Sequence, residues 1–548
     1  MKNIVFIYAG YSTTTSFEKI FDDKSAFEKV LDWCKKIKNS AAVVVATSEI
    51  TQVPAVQCLK DEGVESFKVL TERSWNVALL LEKMKESVQK YGADDVIFTY
   101  ADFPFLDIAL TEKIIDFHKR YIAEYTFADG YPLGFAPEMI EKDALGIILE
   151  LSRNSQKSIG ELPVHKDSVF AVMKGDVNTF DIEAVISPKD YRGFRFDFSV
   201  LEKINREACV NLYNAAKEKN IEFSALALSD LAEVTVEVQK TVPAYYAIQI
   251  ARNCATCADY NPYPNAFKKK YGALPLEGKG HGQEQMDLQK FSSLINEISR
   301  LSENAVVSLS VYEEPLTVSR IADYVSTVLE KSGLSVIIET DGMLVKPELI
   351  EEIANIVNII PSRTNGMSPI SWIVDIDAFS EETYSKIRSN TEPFCREKSA
   401  YQKALEAVSM LEVFFPGEVY PQFTRLNENE HELEGFYRYW HDAKSPSKGK
   451  VIIQKYDCFC KALPERKPAD LSPLRRNPCW HLKRDMTVLA DGNVPLCKEF
   501  IFEESLGNVF SEGLENLWNR FNEELKNQTM NNYGKKCGDC DEYYTFNF

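Results

Sequence analysis

From Asn3 onward the chain alternates short apolar runs with longer stretches of helical period. "NIVFIYA", "AAVVVATS" and "DDVIFTYADFP" are nearly continuous apolar runs, the pattern of strands buried on both faces. Between them, "SAFEKVLDWCKKIK" and "WNVALLLEKMKESVQKYG" repeat apolar residues three and four apart, which predicts amphipathic helices. This βαβ order over residues 1–195 predicts a layered α/β sheet, with ligands at the strand carboxyl ends. Residues 196–240 look helical and then less regular, and read as a connector. A second series begins at "AYYAIQIA" and continues through "AVVSLSVYEEP", "LSVIIETDG" and "ISWIVDIDA", with helices such as "VSRIADYVSTVLEKSG" between. Over residues 241–460 this predicts a complete or partial βα barrel. Residues 461–548 are irregular, with "LSPLRRNPCW" and "LADGNVPLC", and end on a C-x-x-C pair. The expected fold class is multidomain α/β, with no short tandem repeat and no long low-complexity tract.

The opening "MKNIVFIYAG" has one lysine and an apolar run too short for a signal peptide, with no convincing cleavage site after it. It reads as a first buried strand. No run of about 18 apolar residues appears, so no transmembrane helix is expected, and a cytoplasmic location follows. Lysine plus arginine number 63 against 82 aspartate plus glutamate, a net charge of −19. That balance argues against a broad nucleic-acid-binding surface. The partner expected instead is a peptide or small-molecule substrate, with an electron donor if the chain is catalytic.

Twelve cysteines refine this picture. Cys34, Cys58, Cys209 and Cys395 stand alone and read as small buried apolar residues. The other eight crowd into Cys254/Cys257, Cys458/Cys460, Cys479, Cys497 and Cys537/Cys540. In a reducing compartment such crowding points to metal rather than disulfides. In the tail, glycine in "ADGN" permits a tight turn between two short strands, which would bring Cys479 near Cys497. Cys537 and Cys540 can then complete a set of four thiolates. Four thiolates suit a tetrahedral zinc or a cubane [4Fe–4S] cluster, and spacing does not choose between them. The six histidines include His281 in the glycine-rich "GKGHGQEQ", which reads as a solvated loop residue. No Ser–His–Asp or H-E-x-x-H arrangement is present.

The string "C…DGNVPLC…LGNVF…LENLW…CGDC" resembles the SPASM domain that ends many radical SAM proteins. The resemblance implies one auxiliary [4Fe–4S] cluster on Cys479, Cys497, Cys537 and Cys540, since full SPASM domains carry more cysteines and two clusters. Cys458 and Cys460 precede the domain and either donate a ligand or are buried thiols. With that lead, the middle segment resembles a radical SAM barrel. "VYEEP" (Glu313, Glu314, Pro315) sits where a G-E-P strand end meets the amine of S-adenosylmethionine (SAM). "IETDG" (Thr340 to Gly342) is similar to the T-N-G strand end. "VDIDAFSEETYSKIR" (Asp375 to Arg388) is similar to the S-L-D strand and its following helix. "YPQFTRLNENE" would be a later strand end. The cluster loop departs from the family. Aligning "IARNCATC" with C-x-x-x-C-x-x-C puts Ile250 at the first cysteine, with Cys254 and Cys257 at the others. Isoleucine cannot ligate iron, and Asp259 or Tyr260 would be poor substitutes at a soft site.

The first third resembles a nucleotidyltransferase of the cytidylyltransferase type, with a glycosyltransferase-A-like sheet. "VIFTYADFPFLD" matches its D-x-P strand end, which implies Mg²⁺ on Asp102, and Asp129 in "FADGYPLGF" could join it. The family's glycine- and arginine-rich phosphate loop is missing, leaving Gly10 and a run of hydroxyls. The order of the three parts resembles the spirochaete spiro-SPASM family. The expectation is an iron–sulfur protein of radical SAM/SPASM type acting on a peptide or nucleotide-linked substrate. The alternatives are a non-catalytic binding or scaffold protein with one structural metal site, and a nucleotidyltransferase with accessory domains.

Overall fold

The computed structural model describes residues 2–154, 159–252, 258, 260–264, 285–361, 363, 366–388 and 398–545. Cys254, Cys257, Asp259, His281 and Cys395 lie outside the described residues. Two compact units result, Met1–Thr241 and Val242–Phe548. No helix among the described residues is long and apolar enough to cross a membrane.

The first unit is built on a seven-stranded sheet. Its strands are β1 (Asn3–Ala9), β2 (Ser40–Thr47), β3 (Phe67–Thr71), β4 (Asp95–Tyr100), β5 (Tyr125–Asp129), β6 (Glu138–Glu141) and β7 (Ile182–Ile186). The order is β3-β2-β1-β4-β6-β5-β7. β1 runs parallel to β2 and β4, while β6 is antiparallel to both β4 and β5. Every residue of β1 is buried, as its unbroken apolar run requires. The helix Ala26–Cys34 starts on a capping box between Ser25 and Glu28. The helix Val77–Tyr91 starts on Asn76 and stops at Gly92, whose φ of +57° suits glycine. Residues 196–240, read from the pattern as a connector, contribute helices Lys203–Glu218 and Ala225–Val234. Their Cys209, Leu212 and Leu228 pack into one core with Phe105, Leu110 and Ile114.

The second unit carries seven parallel strands. These are β8 (Tyr245–Ile248), β9 (Ala305–Ser308), β10 (Leu334–Thr340), β11 (Ile370–Asp375), β12 (Val419–Arg425), β13 (Ile452–Lys455) and β14 (Asp485–Val488). The order β13-β12-β11-β10-β9-β8-β14 leaves both edges open, so the element is a partial barrel. Helices such as Leu288–Ser302, Ile321–Leu329 and Ala400–Phe414 cover its outer face. The tail supplies the last strand: β14 pairs in parallel with β8, Tyr245 opposite Asp485. This alters the hairpin expected around "ADGN". Gly492 does make the tight turn, at φ +87°. The strands flanking it pair elsewhere, because β15 (Asn493–Val494) joins β16 (Gly507–Asn508) in an antiparallel pair. The open edge of β8 offers β14 more backbone hydrogen bonds than a two-residue neighbour can.

Candidate metal centre and barrel cavity

The tail brings its thiols together from separate segments. Cys479 precedes the helix Trp480–Arg484, Cys497 follows β15, and Cys537 and Cys540 sit in and just after the helix Lys535–Asp539. The amide of Cys479 donates to Gln528 Oε1 (2.9 Å) on the long helix Leu514–Thr529. Arg476 staples the far end. Its guanidinium donates to the carbonyls of Cys537 (2.5 Å) and Cys540 (3.2 Å) and lies over the rings of Tyr533 and Tyr543. Burial, then the charges of Cys540 and Cys537, push the Cys479 thiol up to about 12. Burial, then Glu499, Cys479 and Cys540, raise Cys497. Burial, Glu524 and Cys540 push Cys537 to about 12. Cys540 is lowered, first by a hydrogen bond from Cys460. All nine described cysteines are free thiols.

Four thiolates suit a tetrahedral zinc or a [4Fe–4S] cluster. Among the described residues no three of these sulfurs lie within 4.8 Å of one another. Asp457, Asp541 and Glu542 do converge within 4.8 Å. That group is already neutralised, by Lys455 and Lys467 on Asp541 (3.1 and 2.9 Å) and by Lys498 near Asp457 and Glu542 (3.7 and 3.6 Å).

Inside the partial barrel lies a cavity of about 220 Å³. Its floor is apolar, with Tyr245, Ile337, Ile373 and Ile452 on the inward positions of β8, β10, β11 and β13. One step up each strand the lining turns polar. Gln422 Nε2 donates to both Glu339 (3.0 Å) and Asp375 (2.8 Å), and Arg388 reaches Asp375 at 3.2 Å. Burial raises both carboxyls, and Glu339 adds to the rise at Asp375. At the strand ends, Glu313 accepts from the amides of Val311 (3.2 Å) and Tyr312 (3.0 Å) and is pushed by burial to about 7. Glu314 accepts from the Leu316 amide, the Thr340 hydroxyl and the Asp341 amide, all at 3.0 Å. Pro315 opens the turn Pro315–Thr317. Gly342 has φ +82°, and a Cβ there would meet Ala407 at 3.0 Å. Thus Glu313, Glu314, Thr340 and Asp375 line one cavity, and Pro315 and Gly342 are not part of its lining. The lining holds six carboxylic acids against three bases, an excess that suits a cationic ligand.

Ile250 is wholly buried in the outer core with Ile248 and Met286, facing away from the cavity. The Tyr260 hydroxyl is committed to Asp377 and to Arg388 (3.2 Å), so it is no substitute iron ligand. The pattern also passed over Glu339, Gln422, Lys455, Lys498 and Arg476. Only Glu339 had a readable signal, two residues before Asp341 on the same strand face.

In the first unit Asp102 is wholly buried. Tyr11 donates to its Oδ1 (2.6 Å) and Lys166 Nζ to its Oδ2 (2.6 Å). Lys166 also feels Asp197, whose carboxyl burial raises and Lys166 opposes. With both oxygens taken and a lysine between the two acids, these residues do not fit Mg²⁺. Asp129 stands apart, 3.4 Å from Arg192. A Cβ at Gly10 would meet Trp75 at 2.5 Å and Tyr8 at 2.8 Å, so aromatic rings occupy the space by the first strand end. The lone Cys34 and Cys209 are core residues, as expected.

The SPASM profile, an iron-sulfur cluster-binding domain, matches residues 479–541. A Treponema pallidum protein, described as an uncharacterized protein, is 35% identical over 387 residues, which are 69% of this chain and 98% of the relative. The chain belongs to that protein's family. The matched domain follows a partial barrel of parallel strands and adds its last strand, β14. Solved structures that follow parts of it include a cytidylyltransferase from Leptospira borgpetersenii, 18% identical, covering 43% of this chain and 93% of that one at TM-score 0.33. BtrN in complex with AdoMet and 2-DOIA is 16% identical, covering 55% and 94% at TM-score 0.33.

Proposed function

We propose that this chain is an iron–sulfur protein whose tail holds one auxiliary [4Fe–4S] cluster on Cys479, Cys497, Cys537 and Cys540, and whose barrel cavity takes SAM. The carrying observation is the set of four thiols, drawn from distant segments of the residues that match an iron-sulfur cluster-binding domain. The acidic cavity supports the second half. SAM is a sulfonium with an ammonium group, and Glu313, Glu314, Thr340 and Asp375 offer it acceptors over an apolar floor. The substrate is a peptide or nucleotide-linked small molecule, reached in the cytoplasm, where the thiols stay reduced. When bound, the cluster supplies one-electron chemistry. The protein's part is to hold the thiolates, bury them and exclude water.

The test is anaerobic iron and sulfide quantification on the wild type and on Cys537→Ala/Cys540→Ala. The reading expects about four irons at the tail site, absent from the double variant. Zinc in their place, or iron unaffected by the substitutions, refutes it. A second reading, a binding protein without radical chemistry, is favoured by Ile250 lying in the outer core. It predicts SAM binding with no 5′-deoxyadenosine released on reduction.

A further inference from the structure

The first unit holds a lysine whose ammonium faces rings instead of acids. Lys29 lies on the helix Ala26–Cys34. Its Nζ stands 4.5 Å from the ring centroid of Tyr213, 5.4 Å from that of Phe21 and 5.5 Å from that of Phe223. The rings join as walls: Phe21 and Tyr213 meet at 5.3 Å and 70°, Tyr213 and Phe223 at 5.4 Å and 56°. Each wall comes from a different segment. Phe21 ends the short strand Lys19–Phe21, Tyr213 is on the helix Lys203–Glu218, and Phe223 precedes the helix Ala225–Val234. Phe21 is 1% exposed and closes the inner side, whereas Phe223 is 44% exposed, so the cage meets solvent there.

Acids are at hand, but other lysines hold them. Asp22 takes Lys217 (2.6 Å) and the Tyr213 hydroxyl (2.8 Å). Asp32 takes Lys24 and Lys35 (2.9 Å for the second). Among the described residues Lys29 makes no ion pair and no hydrogen bond. An ammonium carries three N–H donors, and ring faces attract its charge without accepting those donors as oxygens would. Each methyl group on the nitrogen removes one donor and spreads the charge over a larger, more weakly hydrated cation, which is the ligand that aromatic cages select.

We propose that Lys29 is a methylation site and that the cage of Phe21, Tyr213 and Phe223 holds the methylated ammonium. In each round the free amine's lone pair bonds the methyl carbon of a sulfonium donor. The donor's carbon–sulfur bond breaks and leaves a thioether, and one N–H proton passes to water. The donor comes with a separate methyltransferase, through the open Phe223 side. Burial lowers the Lys29 ammonium from its ordinary value, which enlarges the share of free amine. Once methylated, the cation ties the helix Ala26–Cys34 to the helix Lys203–Glu218. The cage lies in the first unit, so neither the tail cluster nor the barrel cavity bears on it.

Two measurements test this. Peptide mass spectrometry of the full chain from its native cells should find one to three methyl groups on Lys29 and none on the ion-paired Lys24, Lys35 and Lys217. An unmethylated Lys29 overturns the proposal, and so do methyl groups spread equally over all four lysines. The cage is tested by emptying it. A cation that binds only the folded chain raises its melting temperature. Lys29→Ala should melt several degrees higher in tetramethylammonium chloride than in the same concentration of ammonium chloride, and the gain should saturate. The wild type, whose cage is filled, should show no difference between the two salts. Nor should Lys29→Ala/Tyr213→Ala, whose cage has lost a wall. No gain in Lys29→Ala, or an equal gain in all three chains, overturns the proposal.

Discussion

Lys166 stands between two carboxylates, Asp102 and Asp197, at the carboxyl end of the first sheet. Removing one partner of a buried ion pair costs about 3–5 kcal/mol, because the other charge is left uncompensated. Lys166→Met should therefore melt lower, and the freed acids should then accept a divalent cation. Melting with and without millimolar Mg²⁺ checks this: the variant recovers stability with Mg²⁺, and the wild type does not respond. A wild-type response would mean the lysine does not hold the cation's place. Glu138 is a second case. Burial pushes its carboxyl up to about 7, and its Oε2 has no hydrogen-bond partner. An acid raised on folding contributes stability below its unfolded value of about 4.5 and loses it as pH rises through about 7. At about 1.4 kcal/mol per pH unit, the cost at pH 8 is of order 3 kcal/mol. Glu138→Gln should raise the melting temperature by several degrees at pH 8 and flatten the slope between pH 5 and 7.

At the scale of elements, β8 shows what alternation can and cannot convey. Its inward face carries Tyr245 and Ala247, and its outward face Tyr246, Ile248 and then Ile250. That period of two was readable in "AYYAIQIA", and it already turned Ile250 away from the barrel interior. Ile250→Cys should therefore leave SAM cleavage on reduction no higher than in the wild type, measured as 5′-deoxyadenosine. A rise would show that the residue reaches the cavity. The parallel order of β8 to β12 and the strand-end acids were legible too, because buried strands and turn residues announce themselves locally. The pairing of β14 with β8 was not, since "DMTV" is too short to favour one partner over another. Nor was Arg476, whose role depends on segments more than sixty residues apart in the chain coming together. At the tail turn, Gly492 has φ +87°, and a Cβ there would lie 2.3 Å from the Phe510 ring. Gly492→Ala should destabilise the tail by about 1–3 kcal/mol and lower the iron retained after purification, read by iron per chain.

For the whole molecule, the two units have separate cores, one around β1 and β4 and one around β8 to β12. The proposed cluster ligands all lie in the second unit, on segments spread from Cys479 to Cys540. A metal centre that forms only in the folded state adds its binding energy to folding. Its loss should therefore weaken the second unit and leave the first unchanged. Differential scanning calorimetry of the full chain should show two transitions, and iron chelation should lower only one. Lys166→Met identifies the other, because Lys166, Asp102 and Asp197 belong to the first unit. The two perturbations should move different peaks and add without interaction, as independent sites do. A chelator and a Lys166 substitution that shifted the same peak would mean the units unfold as one. The tail centre would then stabilise the whole chain rather than its own barrel.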